Sequence, residues 1–229
     1  MVKTYRRKLK KKVGEILHLP LQDTAMEMLE QIPDNQLTGH LFACFYNKDE
    51  LIKFRSIAAM GRLAVRIEQE NIERARIILR RIMWNLNDES GGIGWGSPEA
   101  MGEILCQSPK LAMEFKSILF SYLMPGGNYI EHEMLQRDVL WGIGTYLKSN
   151  PQDLNRETTK LLLQHLLSLD HVKKAYAMRA LINAKYFDNH PISKNIIIDN
   201  HEVNMFKNWH FVATSVADLV KPYENKKTV

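Results

Sequence analysis

The chain has 229 residues, 45% of them hydrophobic, and carries a net charge of +5, which fits one domain with a core of ordinary density, or one domain with an appendage. Its longest apolar runs, such as "IIL" and "LLL", fall far short of the roughly 20 residues of a membrane-spanning helix, and the basic N-terminus has neither the apolar stretch nor the small-residue cleavage site of a secretory signal. A cytoplasmic protein is expected, with Cys44 and Cys106, the two cysteines, as reduced thiols in apolar helices rather than a disulfide or metal framework.

Residues 1 to 12, "MVKTYRRKLKKK", hold 7 of the 31 lysines and arginines, leaving 24 bases against 26 acids in the remainder. The body is therefore slightly acidic, and the basic arm reads first as a solvated helix end, with nucleic acid contact through residues 3–12 as the alternative. "YRRKLKKKVGEILHL", "TAMEMLEQI" and "NQLTGHLFACFY" predict three helices, the first a cap on the helical array. In "KDELIKFRSIAAMGRLAVRI" one stripe holds Leu51, Ile52, Ile57, Met60 and Leu63, with Asp49 in the N-cap position. "NIERARIILRRIMWNL" follows as its partner, with Ala75, Ile78, Leu79, Ile82 and Leu86 at helical spacing. Further pairs are predicted over Pro98–Gln107 with Pro109–Met124 and Glu131–Ser149 with Asn155–Leu169, then a last helix over Asp170–Tyr186. Beyond it, alternation in "NIIIDNHEVNMFKNWHFVATSVADLV" predicts two or three short antiparallel strands turning at Asp199-Asn200 and Lys207-Asn208. A small helix over Ser215–Val220, capped by Thr214 or Ser215, comes next. A continuous helix from Val203 to Leu219 is the competing reading, and "PYENKKTV" is expected to fray.

Small-large-small triplets recur late in the first helix of each pair. Ala59-Met60-Gly61, Ala100-Met101-Gly102, Gly142-Ile143-Gly144 and Ala180-Leu181-Ile182 have third positions 41, 42 and 38 residues apart, the length of two helices and their turns. The glycine that ends the first three lets stacked helices approach closely, and Ala180-Leu181-Ile182 is their near equivalent. The expected fold is all-α, a right-handed α-α superhelix of about four helix pairs. Residues 1–190 would form the repeat domain, and residues 191–229 a short β element and terminal helix packed on the last repeat.

These triplets, with Ile52-Lys53 and Leu135-Gln136 seven residues ahead of two of them, resemble the HEAT-like repeat of phycobilisome-lyase-type proteins over roughly residues 49–186. Lys53, Gln136 and Lys174 stand at the basic position of that pattern, and Gly94 falls there in the second repeat. The block "SGGIGWGSPEAMGEI" is similar to a motif of a bacterial group of small HEAT-repeat proteins. The resemblance implies a fold and a binding habit, not a reaction.

That block opens with a helix start, Ser97 as N-cap, Pro98 next and Glu99 in the first turn. Asp88 and Glu89 close the preceding helix against its dipole, and Glu99 and Glu103 share a face, so four carboxylates surround one glycine loop. Three readings fit: glycines and Trp95 that only turn a corner; a groove of Asp88, Glu89, Trp95 and Glu99 for a basic or peptidic partner; or a metal or acid/base site, for which no histidine lies close in sequence. Arg81, Trp84 and Asp88 share a face of the helix that, by the resemblance, floors such a groove.

His132 between two glutamates resembles in one dipeptide the His-Glu pairs that carry iron in the HEAT-repeat deoxyhypusine hydroxylases. His201-Glu202 lies outside the repeats, so no metal is expected. Trp95, Glu99 and Arg137 resemble the Trp, Asp and Arg set of the HEAT-like alkylpurine DNA glycosylases, with glutamate for aspartate and without a basic groove for phosphates. The reading is a non-enzymatic adaptor for a protein or peptide, with binding residues Arg81, Trp84, Asp88, Glu89, Trp95, Glu99, Glu103 and Arg137, no cofactor, no membrane, and the glycosylase as the alternative.

Overall fold

The computed structural model describes residues 2–87, 93–192 and 199–224. Three short helices, α1 (Val2–Leu17), α2 (Gln22–Glu30) and α3 (Asp34–Cys44), pack against a long α4 (Glu50–Glu70). Next come α5 (Ile72–Asn87), α6 (Ser97–Gln107), α7 (Pro109–Ser121), α8 (Glu133–Ser149), α9 (Arg156–His165) and α10 (His171–Asn183). Strands β1 (Val203–Lys207) and β2 (His210–Thr214) and helix α11 (Val216–Glu224) end the described chain. On α1, Leu9 and Val13 face the core while Arg6, Arg7, Lys8, Lys10, Lys11 and Lys12 stand in solvent, so the basic arm is the wet side of an amphipathic helix. No helix among the described residues is long and apolar enough to cross a membrane.

The first helix of each predicted pair belongs to one layer. α6 packs between α4 and α8, and α8 between α6 and α10, with α5 and α7 flanking α6 and α9 against α10. The triplet glycines make this layer possible. A Cβ on Gly102 would stand 2.1 Å from the carbonyl oxygen of Gly142, and one on Gly142 would stand 2.3 Å from that of Pro98, so α6 and α8 meet backbone to backbone.

Side-chain caps set the helix starts. Asp49 accepts from Leu51 N–H at 2.9 Å, Ser108 from Leu111 at 3.1 Å, Asn155 from Thr158 at 2.8 Å, and Asp170 from Val172 at 3.0 Å. At α6 the expectation is corrected. Gly96, with φ of +72°, is the N-cap, and Ser97 is already helical, its buried hydroxyl without a partner. Only a glycine takes that backbone cheaply, and here it lies against Phe45. Several ends fall short of the pattern: α7 stops at Ser121, because Leu123 and Met124 form turns bonded to Phe120 and Ser121 carbonyls ahead of Pro125. α9 stops at His165, and α10 at Asn183, where Lys185 takes a positive φ of 57°.

The C-terminal segment is a hairpin, not a continued helix, with Lys207 opposite His210. Its two turn residues, Asn208 and Trp209, have φ of 49° and 71°, the left-handed pair of the tight turn that matches strand twist. Trp209 in that conformation is held by tertiary bonds. Its ring N–H donates to Leu19 O at 2.8 Å, its carbonyl accepts from Arg55 Nε at 2.9 Å, and the residue is 1% exposed. Phe54 of α4 meets Phe206 at 5.5 Å and Phe211 at 5.3 Å, while β1 also touches α10. The hairpin therefore packs on α4 as well as on α10, the helix on which the sequence places it. Ser215 caps α11 by accepting from Asp218 N–H, and Asp218 returns the bond; α11 then continues through Pro222 to Glu224, past the expected fraying point.

Arg55 is the tie between these parts, 3% exposed and donating also to Leu17 O at 2.8 Å. An Arg55→Met variant is expected to lose about 2–3 kcal/mol in denaturant unfolding, because two buried carbonyls lose a charged donor. A loss below about 1 kcal/mol would mean water replaces the guanidinium.

Candidate functional site

The N-terminal halves of α4, α6 and α8 bring Lys53, Glu99 and Asp138 to one point. Lys53 Nζ lies 2.7 Å from Glu99 Oε1 and 3.3 Å from Asp138 Oδ2. The second contact is a directed hydrogen bond; the first is an ion pair set at an angle, so neither Glu99 oxygen receives a hydrogen bond although the residue is fully buried. The positive end of α6 favours an acid at Glu99, in its first turn.

One ammonium serves two adjacent carboxyls. Burial pushes the Asp138 carboxyl well above the ordinary range, the neighbouring Glu99 adds to that, and Lys53 opposes it. Burial alone would lower the Lys53 ammonium, but Glu99 and Asp138 outweigh it and hold it above the usual lysine value.

Above the triad opens a cleft of about 520 Å³ whose polar floor includes Lys53 and Asp138. Its lining joins the aromatic residues Phe45, Tyr46, Phe54, Trp95 and Tyr176 and the apolar Met134, Val172 and Val203 to polar residues that include Lys48, Glu50, Arg137, Glu202 and Asn204. Trp95 is half-buried and stands edge-on to His132 at 5.4 Å. Phe54, Trp141 and Tyr176 form a continuous edge-to-face chain at 5.1 and 4.9 Å beneath that wall. Burial, and then Asp138 and Glu99, push the Tyr176 hydroxyl far up, so it remains a neutral donor.

The residues predicted from sequence divide sharply. Trp95 and Arg137 line this cleft and Glu99 lies under its floor. Arg137 also pairs with Asp170 at 2.7 Å, one step of a polar ladder between α8 and the start of α10. Arg81 lies over the Phe42 ring at 4.0 Å and Trp84 is 73% exposed on α5; neither lines the cleft. The floor of the cleft thus comes from first helices of the pairs, because their N-termini converge, and not from the second helix. Glu103 also lies away from the cleft, accepting from Gln107 at 2.6 Å, with burial pushing its carboxyl up. Asp88 and Glu89 lie outside the described residues. His132 caps α8 through Leu135 N–H instead of joining a metal cluster.

Lys53, Asp138 and Tyr176 have no binding role in the sequence reading. Of these, Lys53 was visible there only as the basic position of the repeat, and it now pairs with Asp138. That the two meet across α4 and α8 depends on how far the shortened α6 lets those helices approach.

No family model matches the chain. A protein of Archaeoglobus fulgidus, described as uncharacterized, is 30% identical over 116 residues, 51% of this chain and 55% of that protein. The chain thus spans about half the length of that relative. Among solved structures, two engineered proteins resemble it, with TM-scores of 0.43 and identities of 13% and 15%. Each match covers 76% of this chain, and 78% and 47% of the engineered chains.

Proposed function

We propose that this chain is a non-enzymatic binding module, a right-handed HEAT-like solenoid of about four helix pairs that works in the cytoplasm and takes a segment of a protein or peptide partner in the cleft beside Trp95. The fold reading rests on the sequential packing of α4, α6, α8 and α10 and on the triplet glycines between α6 and α8. The functional reading is carried by one observation, an open aromatic cleft set over a buried Lys53–Glu99–Asp138 triad. Aromatic walls offer contact area at low entropic cost, and the fixed polar floor orients what enters. Lys48, Lys53 and Arg137 stand around it with Glu50, Asp138 and Glu202, a mixed set that suits a segment of mixed character better than a polyanion.

The test is a random peptide display selection on the purified protein, with selected peptides titrated calorimetrically against wild type, Tyr46→Ala and Trp95→Ala. At least about tenfold weaker binding is expected for each variant, the loss typical of a central aromatic anchor. Tyr46 is 50% exposed, so its variant reports on binding even where Trp95→Ala also loosens the fold. Peptides indifferent to both substitutions would place the interaction elsewhere and end this reading.

One observation favours a second reading, the alkylpurine DNA glycosylase. Trp95 and Arg137 share one cleft with the Asp138 carboxyl, which burial pushes up, at its floor. Against it, Arg80 pairs with Glu73, Arg81 covers Phe42 and Arg137 holds Asp170, so the cations that duplex phosphates require are engaged. Release of an alkylated base from duplex DNA, abolished in Trp95→Ala, would establish it over the adaptor.

A further inference from the structure

Near the edge of the cleft, next to Val172 and Glu202 of its wall, three metal-ligand side chains meet that sequence spacing conceals. His171 opens α10, whereas Asp199 and His201 precede β1 some 30 residues later. One ligand atom from each lies within 4.8 Å of the others. His201 Nδ1 is 2.9 Å from Asp199 Oδ1, and His171 Nδ1 is 3.7 Å from Asp199 Oδ2. Donors on a tetrahedral zinc with bonds of about 2.0–2.2 Å stand about 3.4 Å apart, so each Nδ1 lies within about 0.5 Å of that spacing from one oxygen of the carboxylate.

We propose that His171, Asp199 and His201 form a binding site for a divalent transition metal of the zinc class, which fastens the segment before the hairpin onto the start of α10. Two further features carry the assignment. His171 Nδ1 is buried without a hydrogen-bond partner, a donor position that a metal would satisfy. The two imidazoles lie stacked at 3.6 Å and 15°, with both Nδ1 atoms beside the same carboxylate. These near-parallel rings must turn about their soft terminal torsions for both lone pairs to reach one metal ion. Asp199 is further held by Lys174 at 2.5 Å on Oδ2 and by the His201 backbone N–H at 3.1 Å on Oδ1, where a metal would take the place of the His201 ring bond; the carboxylate is thus fixed from outside, the support that metal-ligating carboxylates characteristically receive. Two histidines and one carboxylate match the donor set of open zinc sites, with a fourth position left for water or a group entering from the cleft. The site stands independently of what the cleft binds.

The experiment is calorimetric titration of untagged protein with Zn²⁺, with Co²⁺ absorption spectra as the geometric readout. One metal per chain with a dissociation constant below about 10 µM is expected, with tetrahedral cobalt bands. His171→Ala and His201→Ala should each weaken binding at least tenfold, with folding confirmed by circular dichroism, while His210→Ala, on an exposed strand position, changes nothing. Absence of stoichiometric binding overturns the proposal. So does unchanged affinity in the His171→Ala/His201→Ala double variant, or an equal loss in His210→Ala.

Discussion

Gly102→Ala is expected to destabilise the protein by about 3 kcal/mol or more, a fall in melting temperature of roughly 10 °C. The added methyl would sit 2.1 Å from Gly142 O and 2.5 Å from Gly142 C and Cα, and backbone in the middle of a packed helix cannot move aside as a side chain can. α6 and α8 would have to separate, taking the buried contacts of Met101, Ile104 and Ile143 with them. The series of glycines makes the prediction graded. Gly142→Ala meets Pro98 O at 2.3 Å and should cost a similar amount, and Gly144→Ala, facing Arg179 and Ala180 at 2.9 and 3.2 Å, less. Gly61→Ala meets only the Gln107 and Glu103 side chains, which can swing away. Gly14→Ala in α1 and Gly39→Ala in α3 have nothing within 4 Å and should stabilise by about 0.5–1 kcal/mol through helix propensity. Equal costs across the set, measured by thermal and denaturant unfolding, would refute the backbone-contact account.

That gradation shows what the sequence could reveal. The triplets occur where first helices of the pairs approach one another, and the period of about 40 residues follows from that stacking, so the order of helices and the function of Gly102 were legible. Helix ends were legible where a cap is a side chain, as at Asp49 and Ser108, and illegible where backbone decides, as at Gly96. The hairpin was legible from β-branched alternation. Its anchoring was not, because the Trp209 contact with Leu19 spans 190 residues, and no local pattern records a bond of that length.

The cleft was half legible for a related reason. Trp95 and Glu99 stand out because they break local rules, an aromatic among glycines and an acid beside other acids. Lys53 and Asp138 break none; each looks like an ordinary residue of an amphipathic helix. Their significance is created by the convergence of α4, α6 and α8, as is that of His171, Asp199 and His201, which no spacing rule connects. Arg81 and Trp84, conversely, were conspicuous in sequence and lie on a face away from the cleft.

Lys53→Met carries the other large expected effect, a loss of about 3–5 kcal/mol near neutral pH, because it leaves two buried carboxyls without the ammonium they share. The size depends on burial: Glu99 is fully buried and the Asp138 side chain 13% exposed, so added salt should restore little. The pH dependence tests the cause. Without Lys53 the buried Asp138 carboxyl loses the charge that opposes its upward shift, so its folded pKa lies above the unfolded value of about 4. A raised folded value contributes stability that is full below the unfolded value and lost as pH rises through the folded one. The deficit of the variant should therefore be smallest near pH 4–5 and widen towards neutrality. Carboxyls held low by partners, such as Asp199 beside Lys174 and Asp170 beside Arg137, act with the opposite sign, losing stability as pH falls below about 4, but they are common to both proteins and cancel in the difference. The triple variant Lys53→Met/Glu99→Gln/Asp138→Asn, which removes all three charges, should recover most of the loss. A deficit independent of pH, or a triple variant no better than the single, would show that Lys53 acts through packing of its aliphatic stem and not through its charge.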